Sequence, residues 1–588
     1  MQRRTLVKAA AILPGLLLPR IGYPQTKSST QRKITDYGAK GDGISDDSFA
    51  FSAASQDVSK GQLTQLIIPP GKYRLNHPIL YPGGPQAFSF KAEQPGTVVI
   101  VLDDQLTYSR PIIFRNFRQG LEILGINFQD EHLYKKTGKI SNLVDIQNSQ
   151  KIRVENCSFT GASFYGLGVY ENTEKGAKPL PCDDLVVRNN AFSRIGVIGL
   201  EIFPKITSRN CEVSGNIFKE CGGNWEEIKS RGKIIAPSST CAMKPGQCYI
   251  NATVHSNNIE SCPGGGIYLG NIESLDCYSN HLVNVGLGQR GSQASAIALT
   301  IAAHSLGYRG KFEKTIIRDN KIEWTSSLAS RHAAILLNGS GIESAKNVLF
   351  SGNQIIGRTV AFDIYLKSSP QSAIEFIKNI VDVNITSSPI IIRSSKNRTG
   401  LNLAVKENIV INNSLKSPPF INLNTNDGAI DGVLLDKNTF LGLSSKLIDA
   451  VGAISQIRVS NNLLVADSNT SSSLDIVTTK DPKVQIASEN NEAYGSREVR
   501  WIPGSSTSDS TAGNRILSID SKTQNLQSQT GALRTKPTVI RETATAPQTN
   551  LKCEFGDVVA RRESRGIRGG WVCIGTTNDA RWLPYGPQ

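Results

Sequence analysis

Glu201 stands between Leu200 and Ile202 in an alternating stretch, residues 199–203 (GLEIF). In a strand, that alternation sends the two apolar side chains to one face and the carboxylate to the other. Counting from Phe218 as from Phe192, Glu227 falls over Glu201 in the next repeat, with Ile228 over Ile202 and Lys229 over Phe203. Tyr268 takes the same position one repeat later, Tyr170 lies one repeat earlier beside Glu171, and Lys205 and Arg231 are close by. Two stacked carboxylates repel, so one of them holds its proton to higher pH. Such a pair suits acid/base work on a glycosidic bond, or it suits Ca²⁺, which takes about six to eight oxygens. In the first case Glu201 and Glu227 act on the bond; in the second they hold the metal or orient the sugar. Lys229 and Arg231 would offset the charge of an acidic sugar, and Lys229 or Tyr268 could take the proton α to its carboxylate. Tyr170, Lys205 and His304 would contact substrate, with Arg331 and His332 as a further place to look. The plain alternative is a solvated strand face carrying a Glu/Lys ladder.

These positions coincide only if a repeat sets them, and a repeat runs through the middle of the chain. Residues 154–159 (VENCSF), 187–192 (VRNNAF), 213–218 (VSGNIF) and 254–259 (VHSNNI) open a series of eleven such segments, which ends at 459–464 (VSNNLL). The fourth position is Asn in ten of them and Cys157 in the first. An Asn at a tight bend can adopt a left-handed conformation and hydrogen-bond the same residue one coil away. A second alternating strand follows many of the segments, as in 166–170 (GLGVY), 199–203 (GLEIF) and 266–270 (GIYLG). No long amphipathic helices intervene, which excludes Rossmann and barrel folds, and the spacing is too irregular for propeller blades. The pattern predicts an all-β solenoid, a parallel β-helix of eleven or more coils.

The entry to the solenoid reads Ile34-Thr35-Asp36-Tyr37-Gly38-Ala39-Lys40-Gly41-Asp42-Gly43-Ile44-Ser45-Asp46-Asp47, followed by a short helical stretch and a strand-turn-strand at 67–73 (IIPPGKY). The glycines and acids suit turn formation and helix capping. With the repeat, this motif resembles the pectate-lyase-like superfamily over residues 33–490. The resemblance implies a right-handed, single-stranded parallel β-helix that acts on polysaccharide as a hydrolase, lyase, epimerase or tailspike depolymerase. Locally, Phe218, Cys221, Glu227, Ile228, Lys229 and Ser230 resemble the metal-carboxylate and lysine coil of the chondroitinase B and alginate lyase family. By that resemblance Glu227 is a Ca²⁺ ligand and Lys229 the base; the Arg-His pair that family carries one coil later is Gly270-Asn271 here. The paired-Asp pattern of polygalacturonases and the Asp-Pro-His-Glu motif of mannuronan epimerases are absent.

Residues 1–25 read as an export leader: Arg3, Arg4 and Lys8 precede an apolar stretch at 9–18, and the adjacent arginines suggest the twin-arginine route. A periplasmic or secreted protein is therefore expected. No run of eighteen apolar residues predicts a membrane-spanning helix. The formal net charge of +15 favours an anionic partner, and without a nucleic-acid motif an acidic polysaccharide fits better than nucleic acid. In an exported chain, ten cysteines permit disulfides. Cys241 and Cys248 bracket a short loop, and Cys553 and Cys573 bracket the C-terminal module. Cys221 and Cys262 fall in register as a third pair. After residue 490 the repeat fades into a terminal coil and linker (491–549), then a small β module (550–588). The reading is an exported enzyme cleaving a polysaccharide, with β-elimination of a uronic-acid polymer ahead of hydrolysis. A non-catalytic carbohydrate-binding or adhesin β-helix is the other class.

Overall fold

The structure, a computed structural model, describes residues 30–103, 110–130, 142–171, 180–204, 206–223, 240–245, 248–287, 295–300, 311–325, 332–339, 344–345, 347–366, 372–394, 401–414, 418–443, 445–466, 473–479, 481, 483–494, 499–500, 510–517, 539–543, 558–563, 566–573 and 582–585. Each coil lays down three strands, as in Leu185–Arg188, Ala191–Ile195 and Ile198–Phe203. Coil upon coil, strands of the last kind form sheet A, those of the first kind sheet B and those of the second kind sheet C. All described pairings within these sheets are parallel and join neighbouring coils, for example Leu167↔Leu200, Val187↔Val213 and Phe192↔Phe218. The fold is a parallel β-helix, as the repeat predicts.

Apolar side chains point inward from all three sheets. Leu167, Val169, Leu200, Ile202, Ile267 and Leu269 are buried in one continuous core. On sheet C, Phe128, Phe159, Phe192 and Phe218 stack face to face, with ring centroids 5.3, 4.8 and 4.6 Å apart. The corner between sheets B and C carries the expected asparagines, extended by Asn491 and Asn514. Along this corner, Nδ2 of one Asn donates to Oδ1 of the next, at 3.0 Å from Asn190 to Asn216 and 2.9 Å from Asn280 to Asn320. The second Nδ2 hydrogen goes to a main-chain carbonyl of the preceding coil, such as Val154 for Asn190. Cys157 stands at the head of this ladder, its amide donating to Asn190 Oδ1 at 2.9 Å. The left-handed residue is the one before the ladder Asn, such as Asn189 (φ 56), Ser256 (φ 55) or Asp319 (φ 56), and not the Asn itself. The ladder Asn must instead aim its amide along the stack.

The entry motif builds the first coil and its lid. Asp42 Oδ1 accepts from the amides of Ile44 (2.9 Å) and Ser45 (2.8 Å). Asp46 Oδ1 accepts from the Ser48 amide at 3.0 Å, at the start of the helix Ser48–Ser59. Asp47 turns back to accept from the Lys40 amide at 2.7 Å. The acids thus serve turns and capping. At the other end, strands continue past residue 490 to Arg515–Leu517, which pairs with Glu492–Tyr494. The C-terminal module is a separate four-stranded sheet, and its first strand, Val539–Thr543, falls inside the stretch expected as linker.

The cysteine expectations are corrected. Cys241 and Cys248 are buried free thiols, and so are Cys221 and Cys262. The last two do stack, with the Cys221 amide donating to Cys262 Sγ at 3.4 Å. Their sulfurs lie parallel along the ladder, each donating to main-chain carbonyls, for instance Cys262 to Glu260 at 3.4 Å. Burial and the neighbouring sulfur push the Cys221 thiol well above its ordinary range. Cys573 is buried and disulfide-bonded; Cys553, its expected partner, lies outside the described residues.

Two outcomes follow from this architecture. Asn320→Ala removes two donated bonds, to Cys277 O and Asn353 Oδ1, and the acceptor for the Asn280 amide and Nδ2. Leaving buried polar groups unpaired should cost more than about 2 kcal/mol in urea unfolding, whereas Asn251→Ala on the exposed surface should stay within about 0.5 kcal/mol. Thiol titration of the denatured, unreduced chain should detect free thiols at Cys157, Cys182, Cys211, Cys221, Cys241, Cys248, Cys262 and Cys277.

Candidate active site on sheet A

The site is built on the outward positions of sheet A. Register runs Asp145↔Gly168, Gly168↔Glu201 and Glu201↔Lys244. Tyr268 follows Ile267, the partner of Met243, so it comes next in the column after Lys244. The residue stacked on Glu201 is therefore Lys244 and not Glu227. The reason lies in an insertion. Extra residues separate Ile217–Cys221 from the next sheet A strand, Cys241–Lys244, so a fixed count from Phe218 stops short of that strand. Glu227, Lys229 and Arg231 lie outside the described residues, and so do Lys205, His304 and Arg331.

Glu201 is on the outward face, as the alternation predicts, but it is only 7% exposed rather than solvated. Lys244 Nζ lies 3.5 Å from Glu201 Oε1. The same ammonium sits over the rings of Phe203 (5.1 Å) and Tyr268 (5.3 Å), a cation–π arrangement that holds its charge beside the carboxylate. Ile198, Cys241, Tyr268 and Ala298 form a small apolar cluster on this outer face, with Tyr165 packed against it. Burial, together with the charge and hydrogen bond of Glu201, raises the Tyr165 phenol well above its usual range.

The second carboxyl of the site is Asp145. Its side chain is fully buried and accepts from Tyr170 Oη on Oδ2 and from Asn142 Nδ2 on Oδ1 at 3.0 Å. Arg110 Nε is 3.3 Å from Oδ2, with its guanidinium 5.2 Å from the Tyr170 ring centroid. Burial raises the Asp145 carboxyl to about 6 and Glu201 adds to the rise, against the pull of Tyr170, Asn142 and Arg110. Burial and Asp145 together push Tyr170 upward, so its phenol keeps its proton. Gly168 makes this possible: a Cβ there would sit 2.8 Å from both Asp145 Oδ1 and Tyr170 Cε1. Asp145 and Glu201 thus share one outward column, one coil apart on either side of a position with no side chain.

Sequence reasoning identified Glu201, Tyr170 and Tyr268 as members of this face, and missed Asp145, Arg110, Tyr165 and Lys244. Asp145 had a readable signal, since 144–147 (VDIQ) alternates as 200–203 (LEIF) does, one coil before the first one counted. Lys244 had none beyond the short stretch 241–244 (CAMK) behind an insertion. Among the described residues no group of three or more His, Cys, Asp or Glu side chains converges as a metal site. Among the described residues the charged group beside Glu201 is the Lys244 ammonium. Of the histidines, His255 stacks on Tyr278 (4.7 Å) and His281 Nε2 lies 2.8 Å from Glu323 Oε1, both on coil surfaces beside the Asn corner. The His332 carbonyl accepts a bond from Thr359 Oγ1.

A carboxyl whose folded pKa lies above its unfolded value binds its proton more tightly when folded. Its stabilising contribution is present below that pKa and is lost as pH rises through it. Between pH 4 and 6, the stability of the parent chain relative to Asp145→Asn should therefore fall with rising pH, by about 3 kcal/mol at most. Urea unfolding of the two proteins at a series of pH values measures this.

Residues 31–226 match the family model described as "Rhamnogalacturonase A/epimerase, pectate lyase-like". That stretch, a third of the chain, holds Asp145, Tyr170 and Glu201, and it begins with the entry motif. No curated protein matches the chain. Among solved structures, the mannuronan C-5 epimerase AlgE4 A-module of Azotobacter vinelandii is 15% identical, with 70% of this chain and 95% of that one covered and a TM-score of 0.35. A double mutant of the tailspike protein of E. coli bacteriophage HK620 is 12% identical, with coverage of 82% and 78% and a TM-score of 0.48. DFA-IIIase from Arthrobacter chlorophenolicus A6, in complex with GF2, is 13% identical, with coverage of 71% and 94% and a TM-score of 0.35.

Proposed function

We propose that this protein is an exported carbohydrate-active enzyme that cleaves a polysaccharide by hydrolysis at the sheet A site. The observation that carries the reading is the pair Asp145 and Glu201, two carboxyls on one face separated by Gly168. Two strand spacings put their backbones about 9.6 Å apart. Two carboxyls in such a column suit the arrangement in which one protonates the leaving group and the other activates water. Asp145 is the acid, because burial keeps its proton to about pH 6. Glu201 is the base, beside the Lys244 ammonium. Arg110, whose side chain is 43% exposed, covers Asp145 and swings aside to admit the sugar. Tyr170 and Tyr268 flank the pair and would guide the chain along the sheet. The leader at residues 1–25 supports export, and among the described residues no helix is long and apolar enough to cross a membrane.

The second reading is β-elimination of a uronic-acid polymer, favoured by the net charge of +15. There Lys229 would be the base, Arg231 or a Ca²⁺ held by Glu201 and Glu227 would neutralise the substrate carboxylate, and Lys205 and His304 would contact the chain.

A screen of acidic and neutral polysaccharides, read in parallel for new reducing ends and new unsaturated ends, separates the two. Hydrolysis gives reducing ends alone. Asp145→Asn and Glu201→Gln should then each lower the rate by about 10²-fold or more, while Lys229→Ala stays within a few-fold and EDTA changes little. Unsaturated ends, together with loss of activity in Lys229→Ala or with EDTA, would replace this reading with the second. Full activity in Asp145→Asn and Glu201→Gln on an identified substrate would remove the sheet A pair from the mechanism.

A further inference from the structure

Sheet C carries a polar cavity, several coils beyond the sheet A site and on another face of the solenoid. Its outward column runs Glu323↔Ile356, Ile356↔Asp382 and Asp382↔Ile411, so one carboxyl is set between two isoleucines. A cavity of about 340 Å³ opens there, lined by Trp324, Ile356, Arg358, Asp382, Asn384 and Asn413 among others. That volume lies at the small end of the range for ligand sites, ~300–1,000 Å³.

The walls are held in place by bonds that leave polar groups facing inward. Trp324 Nε1 donates to Val285 O at 2.8 Å, which fixes the indole. Gly357 lies against that ring with φ 137; a Cβ there would come within 2.9 Å of Trp324 Cβ and 3.3 Å of Cε3. The Asn384 amide donates to Gly357 O at 3.1 Å, which ties the rim to the floor. Asn413 Nδ2 donates to Asp382 Oδ1 at 2.9 Å, so one carboxyl oxygen is engaged and the group is oriented. Burial raises the Asp382 carboxyl to about 6, against the pull of Asn413. An oriented carboxyl, two carboxamides and an indole edge over an apolar floor match the alternating hydroxyls and C–H faces of a sugar ring. A uronic acid would meet the Asp382 carboxyl with like charge, which Arg358 in the same lining offsets in part.

We propose that this cavity is a binding site for a neutral sugar residue, separate from the sheet A site and independent of how that site reacts. Asp382 and Asn384 receive and donate hydrogen bonds to vicinal hydroxyls, and Ile356 and the Trp324 edge meet the apolar ring face.

Isothermal titration of the full chain with glucose, galactose, rhamnose, N-acetylglucosamine and galacturonic acid tests this. At least one neutral sugar should bind, and galacturonic acid should bind more weakly. Asp382→Asn keeps the shape of the side chain and should weaken that binding about tenfold or more, since a hydrogen bond to a charged group is lost. Asn384→Ala, on an exposed rim, should act in the same direction without disturbing the fold. Glu201→Gln should leave the binding within about twofold. The proposal is overturned if no neutral sugar binds, if galacturonic acid binds best, if both cavity variants bind like the parent chain, or if Glu201→Gln abolishes the signal.

Discussion

The buried asparagine ladder is the interaction on which the rest of the molecule depends. A solenoid coil must turn a corner inside the protein, where main-chain groups lose their water and need partners. One carboxamide meets that need, because it offers two donors and an acceptor at a fixed geometry. Each ladder Asn gives one hydrogen to the next amide and one to a main-chain carbonyl behind it, and its oxygen receives from the coil before. The contact distance is 2.9 Å where neighbouring asparagines are 23 residues apart in sequence and 3.0 Å where they are 41 apart. The corner therefore fixes the phase of every coil, and chain of any extra length is extruded elsewhere.

That phase locking is what brings side chains from distant coils into columns. Asp145, Gly168, Glu201 and Lys244 come from four separate coils, yet they lie in one line across sheet A. The inward face of the same strands is apolar and continuous, so the outward face is free to carry charge without weakening the core. Chemistry then depends on what covers the column. Asp145 is beneath Arg110 and Tyr170, and Glu201 is against Lys244 and the cluster around Tyr268. Loss of water, more than the charge of Glu201, raises the Asp145 pKa. The same rule acts on sheet C, where Asp382 is desolvated between Ile356 and Ile411.

The entry end of the solenoid solves a different problem, the exposed edge of a long parallel sheet. At the entry, the helix Ser48–Ser59 buries Phe51, Ala54 and Val58 against the first coils, while Asp42, Asp46 and Asp47 satisfy the amides of the glycine-rich turns. At the exit, a small four-stranded sheet follows the last coil. The acids Asp42, Asp46 and Asp47 of the entry motif are thus accounted for by main-chain bonds.

The sequence by itself determined the architecture, because the code for it is local. An Asn every coil, a closing Phe or Ile and an alternating strand after it are each contained within a few residues, and together they specify a parallel β-helix with inward Leu200, Ile202 and Phe218. The same local alternation placed Glu201, Tyr170 and Tyr268 on the outward face of sheet A. Vertical neighbours were decided only by the tertiary structure, since which residue lies over which depends on where each coil extrudes its extra chain. The insertion before Cys241–Lys244 set Lys244 over Glu201 where a constant count sets Glu227, and the gap above Gly168 let Asp145 lean into the column. Burial was likewise invisible in a single strand. Glu201 alternates like a solvated residue and is covered by groups from other coils, because exposure is a property of what packs over a face and not of the strand that forms it.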